Sequence, residues 1–254
     1  MRKLLPVILA ALATVALVLI GWALIAARSN ENGKTPNVNP TTVATGTPPT
    51  QPEHWMVGKA TKALVVRAAP ADNSAVKWTL PAHNANGYPQ MVLVDEVRGV
   101  GSATWYHAYV AVRPNESRGW IREGGLALYQ VTTRLDVDLS KRILSVYVAG
   151  VLKGSFPVAI GKARYPTPTG HFFINQKLQP AKTDGTFGVL ALGISAFQPK
   201  LPSYPQGGPI AIHGTNQPKL VGKAVSLGCL RMTNHDILIV SDLAPTGSPV
   251  VIHK

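Results

Sequence analysis

Cysteine is almost absent: Cys229 is the only one in 254 residues. A lone thiol closes no internal disulfide, so its presence calls for another explanation. Acidic residues are also scarce, 12 against 25 Lys and Arg, which leaves a net charge of +13. That excess draws a chain toward anionic polymers and membrane surfaces. Nucleic acid is excluded as the partner, because the basic residues are scattered and no zinc finger, aromatic RNA-binding signature or DNA-reading helix is present. Nucleotide chemistry lacks its motifs as well. No Gly-x-Gly-x-x-Gly turn occurs, and Gly161-Lys162 and Gly222-Lys223 are each followed by alanine without the upstream glycine of a phosphate loop. No internal repeat is found. What is plentiful is apolar side chain, 46% of residues, which excludes wholesale disorder.

The longest apolar stretch comes first. Leu4 to Ala27 carries no charge and, apart from Pro6, Thr14 and Gly21, is almost entirely apolar. As a helix it spans roughly 36 Å, enough to cross a bilayer. Arg2 and Lys3 precede it, which predicts a cytoplasmic N-terminus and a remainder on the far side. The run is longer than a secretory apolar region and no Ala-x-Ala closes it, so an uncleaved anchor over residues 1–27 is expected over a signal peptide. Residues 28–53 hold Pro36, Pro40, Pro48, Pro49 and Pro52 among Thr and Asn, and read as a tether.

Between residues 54 and 130 short apolar runs (Ala63 to Val66, Met91 to Val94, Trp105 to Val112, Trp120 to Ile121) are separated by turn residues at Asn86-Gly87, Arg98-Gly99 and Pro114-Asn115. The pattern predicts a small antiparallel barrel or sandwich. The segment resembles a bacterial SH3-like domain in Leu64 to Pro70, Trp105 to Val110 and Gly119-Trp120-Ile121. The resemblance offers Trp105 and Trp120 either as lining of a groove for wall peptides or as core residues; the core is expected, since aromatics contribute mostly through burial.

From residue 131 to 254 β patterns dominate. Thr133 to Leu139 and Arg142 to Val148 alternate around a Ser140-Lys141 turn, and further strands are predicted over Val151 to Ile160, Gly170 to Gln176, Pro209 to His213 and Pro249 to His253. One helix is expected where Thr233 to Asp236 forms a capping signal before the run Ile237 to Leu243. Cys229 stands in Ser226-Leu227-Gly228-Cys229-Leu230-Arg231-Met232, with Gly228 permitting close backbone approach and Arg231 supplying a cation. Sixteen residues earlier, His213 ends a predicted strand and is followed by Gly214 and Thr215. A thiol with an imidazole at a strand tip is the raw material of nucleophilic catalysis.

His213-Gly214-Thr215, the Ser226-x-Gly228-Cys229-Leu230-Arg231-Met232 run and the upstream stretch Tyr165-Pro166-Thr167-Pro168-Thr169-Gly170-His171-Phe172 together resemble the L,D-transpeptidase catalytic domain, also called the YkuD domain. The resemblance covers residues 131–254. It implies a β-rich YkuD-type domain with one or two short helices; with the transmembrane helix and the small SH3-like barrel read above, the whole chain is expected to be mainly β. It implies peptidoglycan stem peptides as substrate, attacked at the bond between diaminopimelate and D-alanine through a thioester that a second stem's amine resolves. Cys229 is then the nucleophile and His213 the base. Gly228 and Cys229 supply oxyanion donors, Arg231 meets a substrate carboxylate, and Gly214, Thr215 (beside His213) and Ser226 (in the cysteine loop) complete the expected oxyanion and substrate-binding set. No metal and no cofactor are implied, and the chain is expected to act as a membrane-anchored monomer on the extracytoplasmic side.

Many family members carry histidine where this chain has Leu227, and His171 and His235 are candidates for the missing polar contact. Hydrolysis of the same thioester and a non-catalytic wall-binding role stay open as alternatives. Zinc chemistry ranks below both, for want of closely spaced ligand pairs.

Overall fold

The computed structural model describes residues 54–203, 205 and 208–254. The expected anchor and tether lie outside them. Among the described residues no helix is long and apolar enough to cross a membrane.

Seven strands build the first sheet: β1 (Trp55–Ala60), β2 (Leu64–Arg67), β3 (Val76–Leu80), β4 (Met91–Val100), β5 (Ala103–Val110), β6 (Arg118–Arg122) and β7 (Leu126–Val131). Their order is β3-β2-β6-β5-β4-β1-β7, and every pairing is antiparallel. Along β5 Ala103 and Trp105 are buried in one cluster with Trp120, whereas Ala108 and Val110, of the opposite parity, are buried in another. Trp105 and Trp120 are both buried, as expected of core aromatics, and Trp120 carries Arg98 on its face. Arg98-Gly99 is no turn. It lies within β4, and the reversal falls at Gly101, whose positive φ of 59° suits glycine.

At Thr132 the chain passes to a second sheet. It holds β8 (Thr133–Asp138), β9 (Ile143–Val148), β10 (Val151–Pro157), β12 (Gly170–Leu178), β13 (Ala191–Phe197), β14 (Pro209–His213), β16 (Leu230–Arg231) and β17 (Pro249–His253). Between them β11 (Ile160–Gly161) and β15 (Ala224–Ser226) form a short parallel ladder. The order of the large sheet is β10-β9-β8-β17-β12-β13-β14-β16. Two of its pairings are parallel, β17 with β8 and β14 with β16. The helix α1 (Asn234–Leu243) begins where the capping signal places it: the Asp236 N–H donates to Thr233 Oγ1 at 3.1 Å.

Leu135, Leu144, Val146, Phe172, Ile174, Leu192, Ile194, Ile212 and Ile237 meet in the main core. β13 gave no signal in the sequence because six of its seven residues are buried, so it does not alternate. The two sheets share a smaller core in which Phe173 of β12 packs with Val57, Leu93 and Val131. Tyr129 adds a hydrogen bond from its hydroxyl to the Thr246 carbonyl at 2.9 Å.

Candidate active site

The parallel pairing of β14 with β16 sets Ile212 opposite Leu230 and His213 opposite Arg231. One step earlier, Cys229 stands beside Ala211, from whose backbone it receives a hydrogen bond. Side chains alternate along strands, so Ala211, His213, Cys229 and Arg231 turn to one face. All four line the same pocket, about 710 Å³ in volume, while Ile212 and Leu230 point into the core on the other side.

His213 is buried and gives its Nδ1 proton to the Gly214 carbonyl, 2.6 Å away. A carbonyl can only accept, so the remaining lone pair belongs to Nε2. Burial pushes the imidazole down to about 4. The hydrogen bond to Gly214 opposes that shift, and the Arg231 charge adds to it. Burial likewise pushes the half-buried Cys229 thiol up, against the hydrogen bond from Ala211 and the Arg231 cation. At neutral pH both groups are therefore uncharged, a thiol and a neutral imidazole lining one pocket. The Phe187 ring, itself half exposed, covers His213 with centroids 4.9 Å apart.

Three buried groups hold the turn that carries Cys229. Ser226 Oγ donates to the Cys229 carbonyl at 2.6 Å and accepts the Gly228 N–H at 2.9 Å. Thr167 Oγ1 donates to the Gly228 carbonyl at 2.8 Å and accepts the Gly161 N–H at 2.9 Å. Gln198 Nε2 donates to the carbonyls of Leu227 at 2.8 Å and Pro166 at 3.0 Å. Gly228 has φ of +126°, and a Cβ there would lie 2.5 Å from Gln198 Nε2. This corrects one expectation. The Gly228 N–H is taken by Ser226, so Gly228 serves the turn by its conformation and is not a free donor.

Gly214 and Thr215 support the site without lining it. Asn234, at the start of α1, accepts the N–H groups of Thr215 at 3.0 Å and Val189 at 3.3 Å, while Thr215 Oγ1 accepts from Gln217. Arg231 does reach the pocket, and its Nε is buried without a hydrogen-bond partner. Among the described residues no acidic side chain lines this pocket. Neither histidine suggested as a substitute for the one replaced by Leu227 is brought there. His171 pairs with Glu116 at 3.2 Å, and His235 is exposed on the first turn of α1. Among the described residues no group of three or more His, Cys, Asp or Glu side chains could hold a metal ion.

The profile of the YkuD L,D-transpeptidase catalytic domain matches residues 132–252. The chain is 32% identical over 127 residues to the putative L,D-transpeptidase YkuD of Bacillus subtilis, a match covering 50% of this chain and 69% of that one. It belongs to the YkuD family of L,D-transpeptidase catalytic domains. The corresponding putative L,D-transpeptidase of Bacillus licheniformis is 38% identical over 120 residues, 47% of this chain and 64% of that one. The match thus spans about two thirds of each relative's length. Among solved structures, an L,D-transpeptidase from Mycobacterium smegmatis aligns with a TM-score of 0.39 and 15% identity, over 64% of this chain and 99% of that one.

Within the YkuD region, sequence reasoning found the nucleophile and base candidates but passed over Gln198, Asn234 and Phe187. Gln198 and Asn234 carry no motif. Their role comes from hydrogen bonds to backbone groups far away in the chain.

Proposed function

We propose that the chain is a cysteine-dependent peptidoglycan L,D-transpeptidase, with Cys229 as nucleophile and His213 as base. The observation that carries this reading is the shared face of β14 and β16: a neutral imidazole with its Nδ1 proton fixed on Gly214 lines one pocket with the chain's single thiol. As Sγ attacks the carbonyl between diaminopimelate and D-alanine, its proton passes to His213 Nε2. Negative charge develops on the carbonyl oxygen, which the Cys229 N–H stabilises. Collapse expels D-alanine, whose amine takes the proton from His213, and leaves a thioester on Cys229. A stem amine from a second chain then attacks, giving its proton to Nε2 and its electron pair to the acyl carbon; the C–S bond breaks, and the departing sulfur takes that proton from Nε2 to restore the thiol.

Arg231 is the partner for a stem carboxylate. Its buried, unpartnered Nε in a pocket lined by no acid among the described residues supports that role, because a half-buried cation with an unsatisfied N–H favours an anionic ligand. The seven-stranded antiparallel sheet is read as the SH3-like module. The uncharged run Leu4 to Ala27 is read as an anchor that keeps the pocket on the wall side of the membrane.

The test is the intact mass of the chain after exposure to a carbapenem, which mimics the acyl donor, and product analysis with tetrapeptide stems and an amine acceptor. An adduct on the natural chain that vanishes in Cys229→Ala, together with cross-linked product, is expected. An adduct that persists without Cys229 rejects the nucleophile. Free tripeptide without cross-links assigns the site to hydrolysis, and a wild-type chain inert in both assays leaves only wall binding.

A further inference from the structure

The first sheet reaches the catalytic pocket through one short loop. Asn115, between β5 and β6, holds the backbone of Phe197 at both of its polar atoms: the Phe197 N–H donates to Asn115 Oδ1 at 2.8 Å, and Asn115 Nδ2 donates to the Phe197 carbonyl at 3.0 Å. Beside it Arg113 Nη2 donates to the Gln198 carbonyl at 2.7 Å, and its guanidinium lies over the Phe197 ring. Two residues of the first sheet thus fix the end of β13.

Gln198 stands at that end, only 1% exposed. Its one amide nitrogen bridges the Pro166 and Leu227 carbonyls, joining the two loops that meet at the nucleophile. A peptide unit is planar, so holding the Leu227 oxygen sets the plane of the bond to Gly228. Thr167 holds the next plane by the Gly228 oxygen. That second plane also carries the Cys229 N–H, which points opposite to the oxygen. Gln198 and Thr167 therefore aim the oxyanion donor between them.

We propose that Gln198 is a positioning residue for the turn bearing Cys229, and that Arg113 and Asn115 form the brace that holds Gln198 in place. The inference rests on the reading of Cys229 as the acylated residue. The first sheet then contributes to acyl transfer through geometry, without touching the reacting atoms.

The test uses the whole chain in detergent, as wild type, Gln198→Met, Asn115→Ala and the double variant. Methionine keeps the length of glutamine and removes both donated hydrogen bonds. Measured are the acylation rate with a carbapenem, KM and kcat with tetrapeptide stems, the rate of Cys229 alkylation by iodoacetamide against pH, and the urea midpoint. Gln198→Met is expected to slow acylation and kcat on the order of tenfold or more, because small misplacements of reacting groups are that costly. KM and the pH profile of alkylation stay as in wild type, since the thiol and its surroundings remain. Asn115→Ala shows a smaller loss of the same kind, and the double variant is no slower than Gln198→Met alone.

Acylation by Gln198→Met at the wild-type rate overturns the proposal. So does a loss that matches the fall in folded fraction, and losses that multiply in the double variant remove the brace. A wild-type chain that takes no adduct sinks the reading of Cys229 and this inference with it. Wild type and Gln198→Met acylating equally fast sinks this inference alone.

Discussion

The Nδ1 of His213 and the carbonyl oxygen of Gly214 lie 2.6 Å apart, so the base candidate is oriented by the backbone of the residue that follows it. No carboxylate is needed to fix the tautomer. Because the acceptor is neutral, burial dominates and holds the imidazole uncharged well into the acid range.

That depression links folding to pH. An unfolded histidine titrates near 6.5, whereas His213 in the fold titrates at about 4. The folded chain resists protonation, so this contribution is fully present above about 6.5 and is lost as pH falls through about 4, a span worth at most ~3 kcal/mol. Urea midpoints of wild type and His213→Gln, measured from pH 7 to pH 4, should converge as the medium is acidified. Parallel curves would contradict the depressed imidazole.

The thiol gives a second pH dependence. With Cys229 raised by burial, alkylation by iodoacetamide should be slow at neutral pH and rise only in the alkaline range, with no plateau below pH 7. Arg231→Met removes a cation that favours the thiolate, so its alkylation curve should move to higher pH. A reactive plateau in wild type near pH 5 would indicate a thiolate–imidazolium pair and refute the neutral one.

Gly228→Ala should fail both structurally and chemically. At φ of +126° an alanine is strained, and its methyl would meet Gln198 Nε2 at 2.5 Å and Ile210 Cδ1 at 2.8 Å. A loss of about 2–4 kcal/mol in urea unfolding is expected, together with loss of acylation. Gly222→Ala is the comparison. Its φ is also positive, but nothing lies within 4 Å of the added methyl, so about 1 kcal/mol and normal acylation are expected.

Leu227 is 42% exposed at the pocket rim. Leu227→His should leave stability within about 0.5 kcal/mol, as at other exposed sites. Acylation should change by less than about threefold, because His213 is the proposed acceptor of the proton. The ratio of cross-linked to hydrolysed product is where the change should appear, since the exposed side chain lines the pocket that the proposed acceptor must share. A tenfold gain in acylation would show that leucine withholds a group the first step needs.

Some of this was readable in the chain before folding was considered. The strands Pro209–His213 and Pro249–His253, the Thr233 cap and the burial of Trp105 and Trp120 follow from local rules, because alternation, capping and aromatic burial act within a few residues. Cys229 and His213 stood out for the same reason, as reactive side chains inside short patterns. The tertiary structure alone decided that β14 and β16 pair in parallel, that β13 runs between β12 and β14, and that Ser226 claims the Gly228 N–H. Leu227 kept its place at the rim, yet neither His171 nor His235 came to replace the missing imidazole. Nor could the sequence announce that Asn115 would grip Phe197, 82 residues away. Such contacts join a side chain to backbone atoms that every residue possesses, so no residue type at the far end marks them until the fold brings the two together.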